Sequence, residues 1–182
     1  MNDDLKVDII SDKLKDKKIA FCVSGGIAAI EVPKIIRQLR RHQAHIQCYT
    51  TDNVYKFIGE TSLEWATDRK VVSTLSGLSE HICNEDIIIL APATMNTYNK
   101  ICLGIADNVI TTLIASAIGM NKKIFIALTM HISLYKNKLF QKNLKVADKL
   151  NLEIIKPRFS ENKVKMPHLN DFIEQILGSK NV

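Results

Sequence analysis

The stretch that decides the fold is residues 78–108, "LSEHICNEDIIILAPATMNTYNKICLGIADN". It contains a histidine, then a short apolar run, then a proline-led loop of small and polar residues. The run at residues 85–94 has the length of a strand and is apolar almost throughout, which is typical of a strand buried on both faces of a sheet. We expect Pro92 to end this strand, because proline cannot donate to the ladder.

Similar runs recur along the chain and alternate with helical patterns. Further strands are predicted at residues 18–24, 44–51, 122–130 and 152–157, with a minor strand or extended connection at 70–75. Helices are predicted at residues 30–42, 97–120, 138–151 and 169–179, the second interrupted near Gly104, and helical pieces broken at Gly59 are predicted at residues 52–67. This alternation predicts an α/β fold: a single-domain, doubly wound (Rossmann-like, flavodoxin-like) parallel sheet with helices on both faces.

The composition is typical of one globular domain: 182 residues, 46% apolar and 24% charged. Residues 1–17 are predicted to form a charged N-terminal leader, and residues 18–182 the domain itself. The net charge of +6 comes mainly from scattered lysines, so we expect no nucleic-acid partner. Because no apolar run approaches the ~20 residues of a membrane span, we expect no membrane association.

Four cysteines, Cys22, Cys48, Cys83 and Cys102, lie far apart, without a CxxC pair or a histidine at metal-ligand spacing. Three of them lie in or beside apolar runs. We therefore predict free thiols in the reducing cytoplasm, with neither disulfides nor a bound metal.

The first predicted strand ends in Ser24, Gly25 and Gly26. Ligands of doubly wound sheets bind at the carboxyl ends of the strands, and a glycine pair lets a ligand approach the backbone closely. Ser24 adds a hydroxyl donor, although a simple tight turn would show the same pattern. Because the loop is not GxGxxG, a nicotinamide dinucleotide is disfavoured.

Polar side chains also follow the second and third strands. Thr51 is suited either to bind a phosphate or to cap the next helix. Thr94, Asn96 and Thr97 place hydroxyl and amide groups in one loop, which suits a heteroaromatic ring with carbonyl and nitrogen atoms. Capping of the following helix would explain only one of these three residues.

The segments "GGIAA", "HI", "APATMNT" and "GIADN", in this order and spacing, resemble the flavin-containing cysteine decarboxylase family. The family includes the phosphopantothenoylcysteine and the epidermin-type peptidyl-cysteine decarboxylases. The resemblance covers residues 18–177. It implies a flavoprotein domain at residues 18–182 that binds flavin mononucleotide (FMN).

The resemblance also implies roles for single residues. His81 matches the catalytic histidine, which in the family lies beside a flavin bound between subunits. Met130 and His131 match the segment that holds the substrate, and His131 is counted among the catalytic residues. The residues at cofactor-binding positions are Ser24, Gly25, Gly26, Thr51, Phe57, Ala93, Thr94, Asn96 and Thr97, with Asp107 and Asn108 in the supporting helix.

The reaction implied by the resemblance is a decarboxylation. In the family, FMN oxidises the carbon that bears the substrate thiol, a histidine assists proton removal, and the resulting thioaldehyde allows carbon dioxide to leave. The implied substrate is a cysteine-derived carboxylate, either like 4'-phosphopantothenoylcysteine or the C-terminal cysteine of a peptide. The implied assembly is a homo-oligomer, a trimer or a dodecamer.

Two departures from the family pattern leave alternatives open. His131 stands where the family has an asparagine that holds the substrate carboxylate; it either replaces that asparagine or only packs or caps after the strand. Residues 158–169, "RFSENKVKMPHL", lack the cysteine and glycines of the family's C-terminal clamp, which implies that the product remains the oxidised enethiol. The alternative function is a flavin-binding carrier, regulatory or assembly subunit without the chemistry. A prenyl-transferring flavoprotein fits "EHI" and "GIADN" less well.

Overall fold

The computed structural model describes residues 3–77 and 79–179. Residues 1, 2, 78 and 180–182 lie outside the described residues. They include the first two residues of the predicted leader and the last three residues of the predicted domain. Of the helices described, none combines the length and hydropathy that crossing a bilayer requires.

A five-stranded parallel sheet forms the centre of the fold, in the order β2-β1-β3-β4-β6. Its strands are β1 (Lys18–Val23), β2 (His45–Thr50), β3 (Ile87–Ala93), β4 (Lys123–Leu128) and β6 (Leu152–Ile154). All residues of β3 are buried, as expected for a central strand covered on both faces. The strand order is that of a flavodoxin-like doubly wound sheet, which confirms the predicted fold class.

Helices cover both faces of this sheet. They are α1 (Val32–Arg41), α2 (Glu60–Thr67), α3 (Met95–Cys102), α4 (Val109–Gly119), α5 (Ile132–Tyr135), α6 (Lys138–Leu144) and α7 (Leu169–Leu177). One buried cluster joins α1, α2 and α7 to one face, and a second joins α3, α4 and α6 to the other. Because side chains alternate along a strand, Phe21 enters the first cluster and Cys22 the second.

The structure corrects several predicted boundaries. Pro92 does not end β3, which continues to Ala93 with a shift in register after Leu90; the Ala91–Pro92 peptide bond is cis. The predicted helix at residues 97–120 is two helices, α3 and α4, as the glycine at 104 suggested. Residues 70–75 contribute a single bridge, between Val72 and Tyr49.

A small antiparallel sheet was not predicted. It consists of β5 (Met130–His131), β7 (Arg158–Ser160) and β8 (Lys163–Lys165), in the order β5-β8-β7. A two-residue turn at Glu161 and Asn162 joins β7 to β8, and both residues have positive φ, 52° and 56°. This is the backbone of a hairpin turn whose twist matches that of the two strands.

The folded unit begins before the boundary placed at Lys18. Leu14 is fully buried in the cluster beneath α1, and its backbone N–H donates to the His42 carbonyl (2.9 Å). Ser11 Oγ lies 2.7 Å from His42 Nδ1, and Ile10 N–H donates to the Arg41 carbonyl. The described part of the charged segment therefore packs along the C-terminal end of α1.

Candidate functional site

Three loops converge at the carboxyl edge of the sheet, after β1, β2 and β3. β1 and β3 are neighbours, and the strand order reverses between them, since β2 lies beyond β1 and β4 beyond β3. Doubly wound sheets bind their ligands at this switch point. The loops there contain the predicted residues Gly25, Thr51 and Thr94.

Gly25 lies where two of these loops come into closest contact. Its N–H donates to Thr51 Oγ1 (3.2 Å). A Cβ at Gly25 would lie 2.5 Å from Asn53 Cβ and 2.8 Å from the Asn53 carbonyl carbon. Only glycine fits here without a movement of the backbone, so part of its role is to let the β1 and β2 loops touch.

Ser24 joins the β1 loop to the β3 loop. It is buried, its hydroxyl donates to the Pro92 carbonyl (2.7 Å), and its Oγ accepts from Thr94 N–H (3.0 Å). The hydroxyl proton predicted as a ligand donor is thus directed to the protein itself.

The β3 loop presents the polar groups that the sequence singled out. Thr94 is the N-cap of α3, and its Oγ1 accepts from Thr97 N–H and lies 3.2 Å from Thr97 Oγ1. Asn96, between them, is exposed. Capping therefore accounts for Thr94 and leaves the Asn96 amide open to a ligand.

A first cleft of about 560 Å³ lies among these loops. It contains five predicted cofactor-binding residues: Gly25, Thr51, Thr94, Asn96 and Thr97. The other residues that line it are Asp52, Asn53, Ser73, Thr74, Leu75, Lys100, Asp107, Asn108 and Val109.

The far rim of the first cleft is held by contacts between α3 and α4. Lys100 forms an ion pair with Asp107, and the hydrogen bond from Lys100 holds the pKa of the Asp107 carboxyl below its ordinary value. Asn108 is the N-cap of α4 and forms a capping box with Thr111. Asp107 and Asn108 thus lie before α4 and fix its start at the rim, rather than inside a helix.

A second cleft, of about 430 Å³, lies on the other side of the glycine pair. It is lined by the predicted residues Gly26, Met130 and His131, together with residues of the small sheet and of the turn at Ile27–Glu31. A Cβ at Gly26 would lie 3.6 Å from Thr94 Cγ2, so Gly26 and Thr94 adjoin where the two clefts meet.

His131 caps the short helix α5. Its Nδ1 accepts from Ser133 N–H (3.2 Å) and lies 2.8 Å from Ser133 Oγ. A ring nitrogen that accepts cannot hold a proton, so the neutral ring carries its proton on Nε2. His131 is exposed, and it can therefore cap through Nδ1 and donate to a ligand through Nε2.

Four predicted site residues line neither cleft. Ala93 is fully buried in β3, Ser24 is buried behind the loops, and Phe57 is exposed after the turn at Asp52–Lys56. His81 is exposed in the segment that leads to the start of β3, which is at the edge of the sheet opposite to the Thr94 loop. The single chain therefore does not bring the predicted catalytic histidine to the cleft.

Sequence reasoning missed several residues of the first cleft, among them Asn53, Ser73, Thr74 and Lys100. Asn53 follows β2 in a polar turn, and its contact with Gly25 depends on two segments distant in sequence. Lys100 could have been identified from the sequence, because it lies only seven residues before Asp107, which has the opposite charge, and the predicted helix break at Gly104 lies between them.

The donor set of the first cleft fits a flavin. Hydroxyl, amide and backbone groups surround a space closed in at Gly25, and such groups pair with the carbonyl and nitrogen atoms of a heteroaromatic ring. Within the described ranges, no cluster of three histidine, cysteine, aspartate or glutamate residues is suited to hold a metal ion.

Comparison with known proteins supports this interpretation. The coenzyme A biosynthesis bifunctional protein CoaBC of Methanocaldococcus jannaschii is 38% identical over 170 residues, covering 92% of this chain and 42% of that protein. The chain thus spans about two fifths of the length of this relative. The probable phosphopantothenoylcysteine decarboxylase of Streptococcus mutans is 30% identical over 152 residues, covering 79% of this chain and 84% of that protein.

A solved structure of the peptidyl-cysteine decarboxylase EpiD superposes with a TM-score of 0.78 at 26% identity, covering 88% of this chain and 98% of that chain. The family model described as Flavoprotein matches residues 8–181, which is almost the whole chain and includes both clefts. The chain therefore belongs to the Flavoprotein family.

Proposed function

We propose that the protein binds FMN in the first cleft and decarboxylates a cysteine-derived carboxylate. The observation that carries the proposal is the convergence of Gly25, Thr51 and the Thr94–Asn96–Thr97 loop on one cleft at the switch point of the sheet. Relatives named as decarboxylases of phosphopantothenoylcysteine and of peptidyl cysteine support the choice of substrate. The enzyme class is a carbon–carbon lyase, a carboxy-lyase.

The residues of the first cleft hold and orient the cofactor. In this proposal the amide of Asn96 bonds to the edge of the flavin ring, and the hydroxyls of Thr51 and Thr97 bond to other polar groups of the flavin. When bound, FMN supplies the oxidation of the carbon next to the substrate thiol. Ser24 and Gly25 act indirectly, because they fix the three loops against one another.

The second cleft receives the substrate. Gly26 lies where the two clefts meet, so a substrate in the second cleft can reach the flavin across the glycine pair. His131 donates from Nε2 to the substrate carboxylate, with Met130 beside it. In this way His131 takes over the carboxylate contact while keeping its cap on Ser133.

The site is completed by a second copy of the chain. His81 lies on the segment before β3 and lines neither cleft of its own chain. We assign it the removal of a proton from the substrate in the cleft of a neighbouring subunit, because an imidazole is the side chain most often used as a general base. The protein would then be a homo-oligomer, a trimer or a dodecamer. The free cysteines are in keeping with a place in the cytoplasm.

The test combines cofactor identity with product release. The purified protein is expected to show a flavin absorbance spectrum, to release FMN as identified by mass, and to release carbon dioxide from a cysteine carboxylate. Mixing His81→Asn subunits with subunits that carry Gly25→Ala should restore turnover, because a mixed oligomer contains sites with both native residues. A colourless protein that cannot be reconstituted with FMN would exclude the proposal.

A second candidate is a flavin-binding carrier, regulatory or assembly subunit without the chemistry. It is favoured by the cap that His131 makes and by the hairpin β7–β8, which has no cysteine. His131→Asn separates the two functions, because asparagine keeps the cap through its side-chain oxygen. Turnover that falls shows that His131 works in an active site, whereas turnover that appears only in the variant supports the second candidate.

A further inference from the structure

The segment that carries His81, residues 73–84, is attached to Tyr49 of β2 at both of its ends. Before the segment, the backbone of Val72 forms a bridge with the backbone of Tyr49. After the segment, the carboxyl of Glu85 accepts a hydrogen bond from the Tyr49 hydroxyl (2.7 Å). One residue of the five-stranded sheet therefore holds the two ends of the His81 segment together.

Cys83 attaches the segment close to the histidine. Its side chain is fully buried, and its backbone N–H donates to Ser116 Oγ on α4 (3.1 Å). The Cys83 Sγ lies 3.7 Å from Glu85 Oε2 and 3.8 Å from the Glu85 carbonyl oxygen. Burial raises the pKa of the Cys83 thiol to about 11, so the thiol keeps its proton near neutral pH and can donate it to Glu85.

Tyr49, Cys83 and Glu85 form one buried polar group, here named the anchor cluster. All three residues are buried, and the Glu85 carboxyl accepts from the Tyr49 phenol through one oxygen while its other oxygen faces the Cys83 thiol. A buried carboxyl is costly unless donors surround it. The removal of one donor should therefore open the His81 segment locally while the rest of the fold is kept.

The anchor cluster limits where the imidazole of His81 can lie. His81 is exposed, so the position of its ring depends on the backbone that carries it. Because Cys83 follows two residues later, the Cα of His81 lies within about 7 Å of the Cα of a buried residue. The Ile82 N–H donates to the Ser79 carbonyl (2.9 Å), which makes a turn of the residues on either side of His81. A general base must lie within ~2.6–3.2 Å of the group that it deprotonates, so small movements of this turn matter.

We propose that the anchor cluster positions His81 for proton removal in the cleft of a neighbouring subunit. The inference rests on the proposed function, because it takes His81 as the base that acts on the neighbour's substrate. Tyr49, Cys83 and Glu85 line neither the first nor the second cleft, so they act through His81 and not by contact with FMN or substrate. A loosened anchor cluster should therefore lower kcat and leave KM and the affinity for FMN unchanged.

The first test measures amide hydrogen exchange of residues 79–86 in the protein as purified. Tyr49→Phe removes one donor and keeps the ring, and it should accelerate this exchange at least about tenfold, because a buried polar group loses its partner. Cys83→Ala removes the weaker donor and should act in the same direction with a smaller effect. Tyr98→Phe is the matched control: Tyr98 is buried in the same apolar cluster, but its hydroxyl donates to the Asn143 carbonyl on α6 (3.4 Å), so exchange of residues 79–86 should stay unchanged. Circular dichroism checks that each variant is folded.

The second test separates positioning of His81 from general stabilisation of a subunit. In the mixed oligomer of Gly25→Ala and His81→Asn subunits, each restored site pairs the cleft of the His81→Asn chain with His81 of the Gly25→Ala chain. Tyr49→Phe added to the Gly25→Ala chain should lower kcat of the restored sites at least about tenfold, since a misplacement of ~1 Å can cost ~10²-fold. The same change added to the His81→Asn chain should leave kcat unchanged, as should Tyr98→Phe on either chain.

Equal losses of kcat from Tyr49→Phe on the two chains overturn the inference, because the anchor cluster would then only stabilise each subunit. Unchanged exchange of residues 79–86 in Tyr49→Phe overturns it as well. Failure of the proposed function gives a different result. A native protein that releases no carbon dioxide refutes the decarboxylase and the catalytic role of the anchor cluster together, whereas carbon dioxide release by the native protein with unchanged exchange in Tyr49→Phe removes the inference alone.

Discussion

The two clefts that meet at the glycine pair are built in different ways. The first cleft consists of loops at the ends of parallel strands, held together by hydrogen bonds between residues far apart in sequence, such as Ser24 with Pro92 and Thr94. The second cleft consists of a wall from the β1 loop and a wall from the small antiparallel sheet. The first is therefore part of the main fold, while one wall of the second is an addition to it.

This difference predicts that damage to the first cleft will also damage the fold, while changes to the second will alter binding alone. The glycine pair allows the sharpest comparison, because the two residues are adjacent and line different clefts. The following predictions run from the largest expected effect to the smallest.

Gly25→Ala should reduce both stability and flavin binding. The added Cβ would lie 2.5 Å from Asn53 Cβ, so the β1 and β2 loops must separate. Overpacking of this kind costs about 1–3 kcal/mol in the free energy of unfolding. Gly26→Ala, whose Cβ would have an ordinary contact at 3.6 Å with Thr94, should change stability by less than about 0.5 kcal/mol. Urea unfolding of both variants, with and without FMN, makes the comparison, and equal losses would contradict it.

Ser24→Ala should loosen the joint between the β1 and β3 loops. It removes the acceptor of the Thr94 N–H and the donor to the Pro92 carbonyl in a buried position. A buried polar group that loses its partner costs about 1–3 kcal/mol. Ser62→Ala, at an exposed position in α2, is the control and should leave the urea midpoint almost unchanged. If the FMN affinity of Ser24→Ala stayed at the native value, the hydrogen bonds of Ser24 between the β1 and β3 loops would not be needed for FMN binding.

The ion pair between Lys100 and Asp107 should give the first cleft a small dependence on pH. The pKa of Asp107 is lowered in the folded protein from its ordinary value of 3.8. Its contribution to stability is therefore fully present above pH 3.8 and is lost as the pH falls through the lowered pKa. The difference in unfolding midpoint between the native protein and Asp107→Asn should be constant near neutrality and vanish in strong acid. A difference that grows on acidification would show that Asp107 acts in another way.

Much of the five-stranded sheet was predictable because its signal is local. Each strand is a short apolar run, and each is followed by a helical pattern, so the alternation alone predicts parallel pairing. The polar residues at the strand ends were predictable for the same reason, and Thr94, Asn96 and Thr97 do line the first cleft.

What the sequence did not predict depends on contacts between distant segments. β8 has three residues, and its pattern, Lys-Val-Lys, becomes a strand only through pairing with β5 and β7. The place of Leu14 in the core depends in the same way on α1. Pro92 was expected to end β3, yet the strand resumes at Ala93, which pairs with Leu128 after the register shift. The role proposed for His81 requires a second chain, which no local pattern describes.

The hairpin turn at Glu161 and Asn162 has a consequence for how such proteins diversify. Its tip is exposed and its ends are held by the ladder, so residues can be inserted there without entering the five-stranded sheet. An insertion would lengthen one wall of the second cleft and leave the first cleft as it is. The length of this turn can thus change the shape of the second cleft while the loops of the first cleft keep their contacts.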